Sequence, residues 1–473
     1  MVFTSLEFLT LFLPLFLILY RVARARWRNV VLLIGSWIFY AWWSPVFLLL
    51  LVGVTLLAWG GGLGLNQARV RGSERVRRYG LVLLLVALVG LLAWFKYANI
   101  LAQTASSILV GFGAMPLDWQ RVVLPVGLSF FVLQAVSYLV DVQRGTIVAQ
   151  RSFVHFGAYI AMFGQLIAGP IIRYDWVSRE LLRRDLNWAN FRLGARRFMV
   201  GMSMKVLIAD TLAPIVDLAF SLPAPSLADA WLGCIAYALQ LFFDFAGYSA
   251  MAIGLGVMLG FHFPENFNHP YLARSIQDFW RRWHLSLSSW IRDYLYIPMG
   301  GSRGARWKTY RNLLLSMAIA GLWHGADSWN FLFWGVAHGL ALCVARLWGE
   351  WRAPALPGWL ARCLTLLFVC LAWTLFRASD FDAALNMYLG QFGGHGLAPG
   401  AAMWLALRPV HALAMFAGVS CIVLPLWQDR LTQRFMNGAW GRTLRGAWPL
   451  LAFLFAFGLM ASRGATPFLY FQF

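Results

Sequence analysis

Trp231–Phe261 reads WLGCIAYALQLFFDFAGYSAMAIGLGVMLGF, an apolar run broken by one charged residue, Asp244. About 20 such residues cross the hydrocarbon of a bilayer, so this stretch reads as membrane-embedded. Comparable windows recur outward from it in both directions, at Leu6–Tyr20, Val30–Ala58, Leu81–Ile100, Val122–Val140 and Phe198–Phe220 on one side. On the other side lie Leu313–Leu347, Cys363–Phe376, His411–Leu426 and Pro449–Met460. With the long windows counted as pairs, the expectation is an all-α polytopic membrane protein of roughly ten to thirteen transmembrane or re-entrant helices.

Composition agrees. Of 473 residues 60% are hydrophobic and 12% charged, half the charge of a soluble domain, where about 25% is usual. The net charge of +20 is carried almost wholly by arginine. These residues sit in short gaps between apolar windows, as in Arg21–Arg28 and Arg69–Arg78, the positive-inside pattern with attraction to anionic lipid. No basic face stands free of apolar flanks, which argues against nucleic acid. The five cysteines form no CxxC pair, so neither a zinc site nor a disulfide framework is indicated, and they read as small buried hydrophobes. Charge follows the first apolar run rather than preceding it, which favours an N-terminus outside, with Arg21–Arg28 cytoplasmic and no cleavable signal.

Two stretches depart from simple spans. Ser44-Pro45 interrupts Val30–Ala58 and predicts a tight hairpin, since proline disfavours helix at the residue before it. Phe153–Ile172, with Gly164, Gly169 and Pro170, suits a re-entrant segment that leaves the arginine-rich gaps on its two sides facing the same way. The most unusual stretch, His262–Arg311, interleaves basic residues with Trp280, Trp283, Trp290, Tyr294 and Tyr296. It predicts amphipathic helices at the interface or in a protein-lined cavity. Over Phe279–Trp290, helical spacing sets Trp283, Leu287 and Trp290 on one face and Arg281, His284 and Ser288 on another.

Titratable side chains at membrane depth are functional candidates. His324 stands in Gly321-Leu322-Trp323-His324-Gly325, and desolvation would keep its imidazole neutral and able to accept a proton. The flanking glycines leave room for a ligand or a bent backbone. A histidine hydrogen-bonded between helices is the plainer alternative. His338 lies fourteen residues on, about 20 Å away in one continuous helix; the break at Gly325–Ser328 leaves their proximity open. Asp244, among aromatics, reads first as a partner for an arginine or a tyrosine hydroxyl. Gly254-Leu255-Gly256 and Gly260 read as a helix-packing face rather than a phosphate loop. From composition alone a multi-pass transporter or flippase of a polysaccharide export system is the competing class, against which stands the lack of internal repeats.

Several motifs converge. They include Phe39-Tyr40-Ala41-Trp42-Trp43, Phe95-Lys96-Tyr97-Ala98-Asn99, Leu124-Pro125-Val126-Gly127-Leu128-Ser129-Phe130-Phe131 and Leu166-Ile167-Ala168-Gly169-Pro170. The densest are Asp244-Phe245-Ala246-Gly247-Tyr248-Ser249, Pro264-Glu265-Asn266-Phe267-Asn268, Asp278-Phe279-Trp280-Arg281-Arg282-Trp283-His284 and Leu322-Trp323-His324-Gly325. In these the sequence resembles the membrane-bound O-acyltransferases, in the bacterial branch that acetylates alginate and close to the subunits that serve cellulose. The resemblance runs from Met1 to about Phe376. It departs at Gly164, where relatives often carry proline, and fades beyond Arg377.

The resemblance implies one integral membrane domain over residues 1–473, with a motif-rich core at about 90–376 and helices around a central tunnel. It implies an O-acetyltransferase of the bacterial inner membrane whose essential histidine is His324, with His284 as a second functional position. Acetyl-CoA would be the donor substrate, with no bound cofactor or metal. Periplasmic acetyltransferase subunits would be the partners. Trp323, Arg281, Arg282, Trp283, Asp244 and His338 are the further candidates for the acyl-donor path. Acyl transfer to a hydroxyl needs a base and donors for the developing oxyanion; His284, amides near Gly325 and the Trp323 N–H are the candidates for the latter. Arg281, Arg282, Arg303 and Arg306 would suit the acidic nucleotide end of the donor.

Overall fold

A computed structural model describes residues 1–167, 169–325, 328–426, 439–464 and 466–469, and within them every regular element is helical. Among the described residues, eight helices are long and apolar enough to cross a membrane. The remaining segments of the expected ten to thirteen are shorter or carry more charge. The chain divides into two compact units, Met1–Phe198 with Met251–Pro264, and Met199–Ala250 with Glu265–Phe473.

The first unit holds α1 (Leu13–Val22), α2 (Arg28–Ala41), α3 (Pro45–Val70), α4 (Glu74–Gly111), α5 (Leu128–Arg144), α6 (Phe153–Ala161), α7 (Phe163–Leu166), α8 (Tyr174–Leu182) and the start of α9 (Trp188–Ser203). The hairpin forms where predicted: Ser44 is extended and Pro45 opens α3, where its missing N–H is no loss. Over Phe153–Ile172, α6 and α7 are two short pieces broken at Met162, each too short to cross a bilayer as one helix. Ala168 of that segment lies outside the described residues. Gly127 has φ +77, and a Cβ there would sit 2.7 Å from the Leu166 carbonyl, so glycine is needed on both counts. The Tyr40 hydroxyl donates to the Val126 carbonyl at 2.9 Å, which ties two of the sequence motifs together. Gly164 carries no such demand, its nearest neighbour being an ordinary contact at 3.5 Å. Gly254 packs as expected, with a Cβ position 2.6 Å from the Gly194 carbonyl.

The second unit continues α9 through a π-helical turn, Met204–Ala209, into α10 (Asp210–Ser221) and begins α11 (Leu227–Met258). It then holds α12 (Ile276–Trp280), α13 (Leu285–Ile291), α14 (Arg306–His324), α15 (Asn330–Glu350), α16 (Gly358–Arg377), α17 (Phe381–Gln391), α18 (Ala401–Ala406), α19 (Pro409–Val423) and a last helix, Ala439–Arg463. The apolar window of α11 is buried along nearly its whole length and that of Trp188–Ser221 for more than half, whereas the remaining spans keep broad apolar faces outward. Trp283, Trp334, Trp373, Phe279, Phe331 and Phe376 form the unit's aromatic core. Cys234 and Cys370 are buried as predicted, but Cys363 and Cys421 lie on exposed helix faces.

Candidate functional site

His324 closes α14, and Gly325 leaves the helix in an extended conformation. Ala326 and Asp327 of the predicted break lie outside the described residues; α15 begins at Asn330. The two helices approach so closely that a Cβ on Gly321 would stand 2.2 Å from the Phe331 carbonyl, and one on Gly335 2.3 Å from that of Met317. A Cβ on Gly325 would meet the Phe331 side chain at 2.3 Å. The space these glycines leave is thus filled by α15, not kept for a ligand. Small residues that let helix backbones touch are the usual device in lipid.

That packing resolves the proximity of the two histidines. The buried ring of His324 lies 5.2 Å from Trp334, and Trp334 lies 4.7 Å from His338. His338 is one helical turn beyond Trp334 on the same face of α15. Its Nδ1 accepts a hydrogen bond from the Trp280 indole N–H at 3.2 Å.

His284 reaches the same cluster from another direction. The predicted continuous helix over Phe279–Trp290 does not form: α12 ends at Trp280, and His284 takes a left-handed conformation, φ 43° and ψ 57°, at the start of α13. Non-glycine residues hold that conformation only when their surroundings impose it. Here the Asn268 amide donates to the Arg282 carbonyl and the Leu285 amide to the Asn266 carbonyl, both at 2.9 Å. His284 is therefore buried instead of sharing an outer polar face with Arg281. Its ring lies 4.7 Å from Phe245 and 6.3 Å from Trp323, which in turn lies 4.8 Å from His324. Rings thus alternate along one line: His284, Trp323, His324, Trp334, His338.

The protonation of His284 follows from its partner. Asn266 Oδ1 accepts from the Ser286 amide at 3.3 Å and the Ser286 hydroxyl at 2.8 Å, which fixes that atom as the oxygen. His284 Nδ1, 3.3 Å away, must then be the N–H that donates to it. Nε2 carries the lone pair, buried and without a hydrogen-bond partner among the described residues. Burial pushes the imidazole down to about 3, so the ring is neutral near pH 7 and Nε2 accepts rather than donates. The Gly325 amide is committed too, donating to the Gly321 carbonyl at 3.2 Å.

The other candidates divide. Trp283 is a core residue, stacked on Phe279 at 5.6 Å and 5.0 Å from Trp373. Arg282 is held by Asp278 at 2.7 Å, while Arg281 is exposed. Asp244 lies outside the line of rings. Its partner is neither an arginine nor a tyrosine: Lys205 Nζ stands 3.3 Å from Asp244 Oδ1 and also binds Asp210. The Leu469 amide donates to Asp244 Oδ2 at 2.8 Å. Sequence reasoning missed Lys205, although a lysine amid the apolar window Phe198–Phe220 was the available signal.

The profile of the membrane-bound O-acyltransferase family matches residues 142–379, a span that contains all three histidines. A probable alginate O-acetylase of Pseudomonas putida is 41% identical over 488 aligned positions, covering 100% of both chains. The chain belongs to the membrane-bound O-acyltransferase family. It is a multi-pass membrane O-acyltransferase, which sets the transport reading aside. A probable alginate O-acetylase of Pseudomonas aeruginosa is 46% identical to this acyltransferase over 83% of the chain and 75% of its own length. A peptidoglycan O-acetyltransferase of Helicobacter pylori is 34% identical over 84% of the chain and 81% of its own length.

Proposed function

We propose that this acyltransferase takes acetyl from cytosolic acetyl-CoA and passes it across the bacterial inner membrane for O-acetylation of an exported polysaccharide, alginate or cellulose. The observation that carries the reading is the buried line of three histidines interleaved with Trp323 and Trp334. Buried imidazoles grouped in this way suit proton transfer. The names of the relatives supply the acetyl group and the polymer class. Periplasmic acetyltransferase subunits are the proposed recipients that finish the polymer.

In the reaction the acceptor hydroxyl oxygen bonds to the thioester carbonyl carbon and the C–S bond breaks. The hydroxyl proton passes through an imidazole to the departing thiolate. His324 is the proposed base, and His284, with its Nε2 lone pair fixed by Asn266, aligns or relays that proton. General base catalysis contributes about 10²–10⁴-fold. The exposed Arg281, Arg303 and Arg306 suit the nucleotide end of the donor, whereas Arg282 is already paired.

Membrane vesicles given radiolabelled acetyl-CoA test this. His324→Ala is expected to insert normally and to transfer no label to a partner or polysaccharide. Undiminished transfer by that variant rejects the assignment.

A further inference from the structure

Of the three candidate donors for the developing oxyanion, His284 Nδ1 and the Gly325 amide are already committed, which leaves the Trp323 N–H and any further donors nearby. The far end of the line of rings offers them. Indole N–H is only a donor, so the bond from Trp280 requires His338 Nδ1 to be unprotonated. The proton of the neutral ring is therefore on Nε2, which is buried and has no hydrogen-bond partner among the described residues. The Trp334 indole N–H, one turn earlier on α15, is likewise buried and unpartnered. An N–H left without an acceptor in an apolar interior is unfavourable, and the two here belong to rings 4.7 Å apart, with His324 5.2 Å from one of them.

We infer that His338 Nε2–H and Trp334 Nε1–H bind the carbonyl oxygen of the acyl group and stabilise its negative charge during transfer. The two histidines fixed by hydrogen bonds then have opposite roles set by their neighbours. Asn266 makes His284 an acceptor; Trp280 makes His338 a donor. The inference rests on the acyl-transfer reading of His324 and gives His338 and Trp334 a role distinct from the proton path through His324 and His284.

The test compares His338→Leu, His338→Gln and Trp280→Phe in purified, detergent-solubilised protein. Loss of one oxyanion donor lowers kcat by about 10²–10³-fold, and His338→Leu is expected to show this with KM for acetyl-CoA nearly unchanged. His338→Gln keeps an N–H near the Nε2 position and should recover much of the loss. Trp280→Phe removes the lock on the tautomer and should fall between them. Infrared difference spectra of bound acetyl-CoA carrying a ¹³C-labelled carbonyl report the hydrogen bond directly. The stretch should lie at lower frequency in the wild type and shift up in His338→Leu. An unchanged stretch and kcat in that variant overturn the assignment, as does equal loss in Leu and Gln variants accompanied by lowered thermal stability. His324→Ala separates the two levels. Full activity there strikes the underlying reading, whereas an inactive His324→Ala that keeps the carbonyl shift leaves the donor assignment standing.

Discussion

Asn266 governs what His284 can do. A single side-chain oxygen takes three hydrogen bonds and thereby sets which imidazole nitrogen bears a proton. The neighbours of that ring named above, Asn266, Phe245 and Trp323, carry no charge, so burial alone holds it near 3. An unfolded histidine takes its proton near 6.5. Between those values the unfolded chain binds more protons than the folded one, so stability falls as pH falls through this window. The melting temperature in detergent is expected to drop between pH 7 and pH 4, with a shallower slope in His284→Asn; equal slopes would remove His284 as a source. Little of this was legible beforehand. The Asp278–His284 motif marked the residue, but its left-handed backbone comes from pairing with residues 266–268, and no local spacing encodes that.

At the scale of elements, the pair α14 and α15 positions His324 and His338. Its contact surface is written in glycines whose purpose the sequence left ambiguous between ligand room and helix contact; only the partner helix decides. Gly335→Ala would press a methyl to 2.3 Å from the Met317 carbonyl. Overpacking of that kind costs about 1–3 kcal/mol. Prising the helices apart also moves His324, and a 1 Å misplacement is worth about 10²-fold in rate. Gly349→Ala on the same helix meets nothing within 4 Å and should be neutral or slightly stabilising, since alanine favours helix by about 1 kcal/mol. Thermal melts and acetyl-transfer rates of the two variants measure the contrast. The spans themselves were plainly readable from apolar windows and the Ser44-Pro45 break, because lipid forces every buried backbone group into a helix. The interrupted stretch from 276 to 296 was not, because its helices are held by tertiary contacts rather than by length.

Across the whole molecule, the +20 charge lies mostly in gaps between spans, yet one cluster of charge is enclosed. Lys205 holds Asp210 and Asp244 together inside the second unit. Removing one partner of a buried ion pair strands the other, at a cost of about 3–5 kcal/mol. Lys205→Met should therefore lower the yield of folded protein and its melting temperature, and Lys205→Met with Asp244→Asn should recover part of both. Size-exclusion profiles and melts of the two variants check this; a single variant as stable as wild type would make the cluster dispensable. The sequence exposed each of these charges but not their meeting, as Lys205 and Asp244 sit on different helices.

The hydrogen bond from the Leu469 amide to Asp244 joins positions 225 residues apart, and the Phe468 ring packs 4.7 Å from that of Tyr248 beside it. During synthesis, α11 enters the bilayer long before residue 469 leaves the ribosome. Until then the Asp244 carboxylate lacks the Leu469 amide that it accepts from in the folded protein. A chain that has inserted α11 therefore still lacks the contacts that residues 468 and 469 bring to Tyr248 and Asp244.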